Sequence, residues 1–433
     1  MTDIEISQAL RIIDQTLEPE RLNGVQELVL RECWRGKTYQ EIASISGYDS
    51  DYIRVVGSKL WQNLSQAFEE KVSKHNFKSV LRQRIKQSQF SLSNLEFPDG
   101  QVPLNSRFYI ERPPCEERGY EEVLKPGGFI VIKSPMNMGK TSLMIRILAQ
   151  ARSQNYQTVT LNFQLAEASV LSDLAKLLRW IMANMTLQLG IKSEIARFWD
   201  EDLGTKISCT NYLQNYILAQ LTEPLVLAFD KINHLFEYPQ IAQEFLPLIR
   251  FWHEESNNIE AWQSLRIVVV HSTDSYIPLD TNQSPFNLGL PIVLTEFSFD
   301  QVRELANRYK FKQEVDNLDC SLASLMEMVG GYPYLIRLAF YALSSQNLTF
   351  EQLLTEAPTP TGIYRSYLQK YFVTLQKHPE LIGTFNQIVS SESPIQISSI
   401  AAYKLESMGL IKLFENRAVP SCLLYRLFFR DYI

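Results

Sequence analysis

The sequence predicts an α/β core, a parallel sheet with helices on both faces, joined to an all-α module at the N-terminus and to helical and mixed elements at the C-terminus. Three observations predict it. Short apolar runs at Phe129 to Ile132, Thr158 to Phe163, Leu225 to Phe229, Ile267 to Val270 and Pro291 to Leu294 alternate with helix-patterned stretches, as buried parallel strands do. Residues 1–86 are rich in helix formers and hold one proline, Pro19. Beyond Ser298 the period is helical again and closes in a short hairpin around residues 409–420. A length of 433 residues exceeds one ordinary core. The reading in order is a helix-turn-helix module at 1–86, a linker at 87–106, the sheet-forming core at 107–297, a helical lid at 298–362 and a winged-helix domain at 363–433.

Composition bounds the partners. With 42 Lys+Arg against 48 Asp+Glu the formal charge is −6, so the whole protein is not drawn to nucleic acid or to anionic membrane, and such binding needs a local patch. The five cysteines are scattered and form no C-x-x-C pair, so neither a disulfide framework nor a zinc site is indicated, and reduced, structural thiols are expected. No apolar run approaches the roughly 18 residues of a membrane span, and the start, Met1 to Glu5, is acidic. A cytoplasmic protein with no membrane partner is expected.

In the N-terminal module, Val25 to Trp34 reads as a helix, Tyr39 to Ser46 as a short helix closed by Gly47, and Ser50 as the cap of a longer helix to Phe68. Val55, Val56, Leu60, Trp61 and Leu64 are assigned to the buried face of that last helix. Arg54, Lys59, Lys71, Lys74, Lys78, Arg82, Arg84 and Lys86 outnumber Glu69 and Glu70 over residues 52–86. That makes Arg54, Lys59, Lys71 and Lys74 the candidate contacts to DNA. The reading surface of that helix holds few side chains suited to base edges, so a protein-docking module is the equal alternative.

Phe108-Tyr109-Ile110-Glu111-Arg112 precedes the first strand, and Phe108, Tyr109 and Ile110 either line a nucleotide base or serve as core. Ser134-Pro135-Met136-Asn137-Met138-Gly139-Lys140-Thr141-Ser142 then joins a strand to a helix. This is a phosphate-binding loop (P-loop). Backbone N–H groups from Ser134 to Ser142, Asn137 and Met138 among them, cradle phosphate, Lys140 neutralises β/γ charge, and the Thr141 hydroxyl ligates Mg²⁺. Ser134 stands where the G-x-x-x-x-G-K-[ST] pattern has its first glycine. The fold class is therefore a P-loop parallel sheet, with ATP or ADP and Mg²⁺ as cofactors.

The run Leu225 to Phe229 ends in Asp230, a strand-end carboxylate suited to holding Mg²⁺ through water. The next residue, usually an acid that deprotonates the attacking water, is Lys231. A lysine accepts a proton only after a large fall in pKa, so hydrolysis by the usual route is expected to be slow, unless Glu237 or Asp274 supplies the base. The strand Arg266 to Val270 runs into His271, Ser272 and Thr273, candidate sensors of a γ-phosphate, with a structural role for His271 as the alternative. Further on, Gly330-Gly331-Tyr332-Pro333 ends one helix and starts the next.

From about Phe108 to the C-terminus the chain resembles the AAA-like ATPase domains abundant in cyanobacteria, close to the signal-transduction nucleotidases called STAND and to the origin-recognition type. The likeness rests on Phe108 to Pro113, Met138 to Leu143, Val269 to Thr273, Asn282 to Asn287, Gly330 to Leu335 and Phe428 to Asp431. Residues 1–86 resemble the helix-turn-helix modules that precede such domains. The resemblance implies an ATP-binding core, a lid whose Gly331 and Pro333 approach adenine, and a winged helix that closes over the nucleotide. The family usually has Arg and Gln at positions 136 and 137 and an Asp-Glu pair at 230–231, so Met136, Asn137 and Lys231 are departures that bear on turnover rather than fold. The expected function is an ATP-binding signalling switch with weak hydrolysis, whose N-terminal module contacts DNA or a signalling protein. The alternatives are an active, DNA-associated ATPase forming a nucleotide-dependent homo-oligomer, and a scaffold without turnover.

Overall fold

The computed structural model describes residues 22–82, 95–274, 284–309, 318–345, 348–376 and 378–432, with Phe311 and scattered positions before residue 22. Arg84, Lys86, the first part of the expected linker and Asn282-Gln283 lie outside the described residues. The chain divides into two units, Met1–Glu96 and Phe97–Ile433.

In the first unit, α1 (Gly24–Trp34) and α2 (Tyr39–Ser46) each start in a capping box, at Asn23/Gln26 and Thr38/Glu41, which satisfies the orphan N–H groups of the first turn. Gly47 ends α2 at φ 72°, a left-handed position that glycine takes without strain. The third helix, α3 (Ser50–Phe68), is capped by Asp49 rather than by Ser50: the Asp49 carboxylate accepts from the N–H groups of Asp51 and Tyr52. Its buried face is Ile53, Gly57, Leu60, Trp61 and Leu64. Val55, expected inside, is 66% exposed, because a face repeating at 53, 57, 60 and 64 turns residue 55 outward. Gly57 gives room to the Tyr39 ring, since a Cβ there would stand 2.7 Å from the Tyr39 hydroxyl oxygen. That hydroxyl accepts from Trp61 Nε1 at 2.8 Å and fixes the angle between α2 and α3.

The second unit is built on five parallel strands, β1 (Phe129–Ser134), β2 (Gln157–Asn162), β3 (Leu225–Asp230), β4 (Leu265–Ser272) and β5 (Leu290–Val293), in the order β2-β3-β4-β1-β5. All pairings are parallel, so crossover helices cover both faces, as predicted. Alternate residues such as Val131, Leu161, Leu227 and Val269 join one core with α6 (Leu174–Leu189) and α7 (Pro239–Glu255). The opposite face carries α4 (Cys115–Leu124) and α5 (Lys140–Ser153). Of the span read as linker, residues 97–106 fall within this unit. Val102 donates its N–H to Ser142 Oγ at 2.8 Å, and Arg146 holds the carbonyls of Val102 and Pro103.

Beyond β5 come α8 (Phe299–Tyr309), α9 (Leu318–Val329), α10 (Pro333–Ser345), α11 (Phe350–Glu356), α12 (Arg365–Gln376) and α13 (Pro379–Ser390). Then β6 (Ile395–Gln396), α14 (Ser399–Ser407), β7 (Ile411–Phe414), β8 (Arg417–Pro420) and α15 (Leu423–Tyr432) complete the chain, with the strands in an antiparallel sheet ordered β6-β8-β7. The β7–β8 turn places Glu415 and Asn416 at φ 49° and 64°, the left-handed pair that matches strand twist in a two-residue hairpin. Helix α9 ends against Gly331, where a Cβ would lie 2.2 Å from the Phe297 carbonyl oxygen, while Phe297 N donates to the Gly331 carbonyl at 2.7 Å. Backbone cannot yield as a side chain does. Gly331→Ala is expected to destabilise the second unit by about 2 kcal/mol, read as a lowered urea midpoint at unchanged slope; an unshifted midpoint would contradict the close approach.

Candidate functional site

The parallel sheet brings the C-terminal ends of β1, β3 and β4 to one edge, the place where α/β sheets bind ligands. There β1 delivers the loop and α5 leaves it. Asn137 at φ 61° and Gly139 at φ 92° turn the chain so tightly that α5 begins at Lys140. Helix α5 thus directs its free N–H groups and the positive end of its dipole into the loop.

Lys140 is half-buried and its ammonium is held among oxygens. Nζ donates to the Ser134 carbonyl at 2.9 Å, to the Pro135 carbonyl at 2.7 Å and to Ser272 Oγ at 3.2 Å. Burial pushes its pKa down to about 8, against the attraction of Asp274 and then Asp230. Next to it the Thr141 hydroxyl donates to Asp230 Oδ1 at 3.0 Å. Burial raises the Asp230 carboxyl above its usual range while that hydroxyl lowers it. A hydroxyl and a carboxylate oxygen this close, beside a helix N-terminus, form a hard oxygen donor set. They fit Mg²⁺, which takes few protein ligands and completes its shell with phosphate and water. Lys231 follows at φ 56°, and its ammonium donates to Gln164 Oε1.

At the end of β4, Ser272 is the group that reaches Lys140, because the register sets Ser272 beside Ser134. Its N–H in turn donates to Asn233 Oδ1 at 3.4 Å. His271 points the other way, 4.5 Å from the Phe286 ring and near Phe236. Burial lowers its pKa to about 4, which makes it a neutral imidazole in an aromatic pocket. Thr273 donates its N–H to the Ser134 carbonyl at 3.1 Å and its hydroxyl to the Ser407 carbonyl at 2.6 Å. Thr273 therefore ties the loop to the turn after α14. That turn also touches the loop directly: a Cβ on Gly409 would lie 3.0 Å from the Pro135 ring, and the Tyr332 hydroxyl donates to the Gly409 carbonyl. Pro333 is buried at the first turn of α10, next to Tyr332. Ser142 is buried, with its hydroxyl engaged by Val102.

The box before β1 supports the loop from behind. Phe108 packs 4.2 Å from the Tyr309 ring, Tyr109 donates to Glu116 Oε1 at 2.6 Å under the Arg146 guanidinium, and Ile110 is buried. Sequence reasoning gave no separate role to Arg112. Its guanidinium is 4% exposed and donates to the Met138 carbonyl at 2.7 Å and to the Thr295 carbonyl at 3.3 Å, clamping the loop to the exit of β5. A cavity of about 590 Å³ opens beside it, lined by Arg112, Pro114, Arg118, Val293, Phe297 and Gln301 among others. A lone arginine next to Pro113-Pro114 was the available signal.

The N-terminal candidates belong to the first unit. Arg54 is paired with Asp51 at 3.0 Å, Lys59 and Lys71 are exposed, and Lys74 sits 4.0 Å over the Tyr39 ring. Around them Ile45, Tyr48, Tyr52 and Val55 are exposed apolar residues, the two tyrosine rings 5.6 Å apart.

Among the described residues no helix is long and apolar enough to cross a membrane. A search of curated proteins returns no match. Among solved structures the chain is similar to the Walker-type ATPase PABY2304 of Pyrococcus abyssi, at 15% identity and TM-score 0.54 over 77% of this chain and 100% of that one. A second similarity is to the Aeropyrum pernix ORC2 protein in its ADPNP–ADP complexes, at 15% identity and TM-score 0.46 over 77% and 94%. The first shares the P-loop ATPase fold seen here. Residues 4–84 match the vWA-MoxR associated protein N-terminal HTH, the helix-turn-helix read from the sequence. Residues 97–431 match the AAA-like domain over the whole of the second unit's loop, sheet and C-terminal elements, and the chain belongs to that family.

Proposed function

We propose that this protein is an ATP-binding regulatory switch with weak hydrolysis. The observation that carries the reading is the seat of the C-terminal turn on the phosphate loop, through Thr273 to Ser407 and Pro135 to Gly409. A phosphate entering the loop draws Lys140 away from the carbonyls of Ser134 and Pro135, and Pro135 carries the turn. Nucleotide state thereby biases the position of α14, β7 and β8, the elements assigned to the winged helix, against a core that does not move. Such a bias needs different affinities for the two arrangements. Helices α8 to α11 act as the lid, and the base end of the nucleotide lies toward the cavity beside Arg112, with Phe108 and Ile110 as core behind the loop. When bound, Mg²⁺ is held by Thr141 and Asp230 and screens phosphate charge.

The N-terminal module serves as the output, and its surface favours a protein partner over DNA. The first turn of α3 is already capped by the Asp49 carboxylate, so its N–H groups face an anion of the chain itself. Arg54 is neutralised by Asp51, and Tyr48, Tyr52 and Val55 occupy the side a base reader needs polar. The scattered free cysteines suit a cytoplasmic setting.

Titration of the intact chain with ATP and ADP, followed by hydrogen exchange, tests the switch. Micromolar binding and altered exchange at residues 407–414 are expected. No binding at that concentration, or identical exchange with and without nucleotide, would sink the reading. Gel retardation on duplex DNA is expected to be weak; a tight complex that dissolves steeply with salt would move the output to DNA.

A further inference from the structure

Among the described residues of the first unit, the large apolar side chains that stand in solvent all fall between residues 45 and 55. Ile45 on α2, Tyr48 in the turn, and Tyr52 and Val55 on α3 are between 44% and 66% exposed. Scattered exposed apolar residues need no explanation, whereas a continuous set of them marks a contact surface. The spacing 52, 55 and 59 repeats at three and four, so Tyr52, Val55 and Lys59 line one side of α3, away from its core face at 53, 57, 60 and 64. Tyr48 extends that side past the start of the helix, its ring 5.6 Å from the Tyr52 ring. The two ends differ in sign. Asp51 stands at the first, tied to Arg54 by a bridge at 3.0 Å between exposed groups, which holds only weakly. Lys59 stands at the second, exposed and without an acidic partner among the described residues.

We propose that this face pairs with the same face of a second copy of the chain, antiparallel along α3, in a dimer that needs no nucleotide. The inference rests on the reading of this face as a protein contact. A helix side that is acidic at one end, apolar in the middle and basic at the other becomes its own complement when reversed, and a two-fold axis makes that reversal. With the axis between Tyr52 and Val55, each Tyr52 meets the other copy's Val55. Each Lys59 then comes over the other copy's Tyr48, near Asp51, where cation–π and ionic attraction act together. A parallel pairing would set Asp51 against Asp51 and Lys59 against Lys59. Duplex DNA is negative along its whole length, so it would meet the acidic end of the same face with repulsion. The apolar contact is small, four side chains from each copy, and the dimer is correspondingly weak, with a Kd on the order of 10 µM.

The test is sedimentation equilibrium of the full chain in chelator and without nucleotide, for the wild type and for Val55→Glu, Asp51→Lys and Lys59→Asp, with thermal melting as the check of folding. The wild type is expected to pass from monomer to dimer across the micromolar range. Val55→Glu, a change at an exposed position, weakens the dimer by about a hundredfold, and each charge reversal weakens it by about tenfold. The two reversed variants mixed in equal amounts recover the wild-type affinity, because every lysine at 51 or 59 then faces a carboxylate on the other copy; a purely structural effect of either substitution is not repaired by mixing. A wild type that stays monomeric at about ten times that Kd, a dimer that survives Val55→Glu, or a mixture no tighter than its components would overturn the self-pairing and leave protein contact as such standing. Duplex DNA bound tightly by the wild type and released by Val55→Glu would overturn the protein-contact reading instead.

Discussion

Lys140→Ala is expected to lower affinity for ATP and ADP by at least about a hundredfold, a loss of roughly 3 kcal/mol or more for a charge-assisted contact in a desolvated site. The side chain is held by the carbonyls of Ser134 and Pro135 and the hydroxyl of Ser272, at the mouth of the loop. Its ordinary pKa, 10.5, is brought down to about 8 by burial, which means that the free site has begun to lose its positive charge at mildly alkaline pH. Phosphate favours the charged form, so binding above that pH takes up a proton, and affinity should weaken as pH rises through about 8 and hold steady below it. Calorimetry in two buffers of different ionisation heat reads that proton directly. Affinity in Lys140→Ala equal to the wild type, in a variant with an unchanged melt, would remove the loop from the account of function.

That loop was the most legible part of the molecule, because its chemistry is local in sequence. A strand, a turn with a positive-φ glycine and a helix opened by lysine are all contained between Phe129 and Ser153. The strands were legible for a related reason, the near-unbroken burial of β1, β3 and β4 and the β-branched alternation of β2 at the edge, and their bounds in the structure differ from the sequence reading by a residue or two. What the sequence did not show depends on register and on distant contacts. Ser272 faces Lys140, whereas its neighbour His271 turns into an aromatic pocket; strand alternation says that they part, and only the pairing of Ser134 with Ser272 says which one meets the loop. Arg112 clamps Met138 from 26 residues away, and Ser407 receives Thr273 from 134 residues away, separations over which no periodicity carries information. On α3, Val55 was placed inside because it is apolar, while the helical period and the bulk of Tyr39 over Gly57 placed it outside.

Lys231→Glu is expected to raise ATP hydrolysis by about a hundredfold, the lower range of what a well-placed general base contributes. The residue follows the strand-end Asp230 directly and sits at φ 56°, a turn that aims its side chain past the end of β3 toward Gln164. Its ammonium cannot accept the proton of an attacking water, and the Thr141 hydroxyl and Asp230 are engaged with each other. A glutamate there restores an acceptor without altering Lys140, Thr141 or the loop. Both side chains carry the same cost of the left-handed backbone, so the substitution leaves the turn as it is. Single-turnover hydrolysis with saturating Mg-ATP isolates the chemical step from product release, and Lys231→Gln serves as the control that removes the positive charge without adding a base. A rise confined to the glutamate variant assigns slow turnover to the missing acceptor. An equal rise in the glutamine variant would assign it to the lysine's charge, and no rise in a folded glutamate variant would mean that position 231 does not limit the reaction.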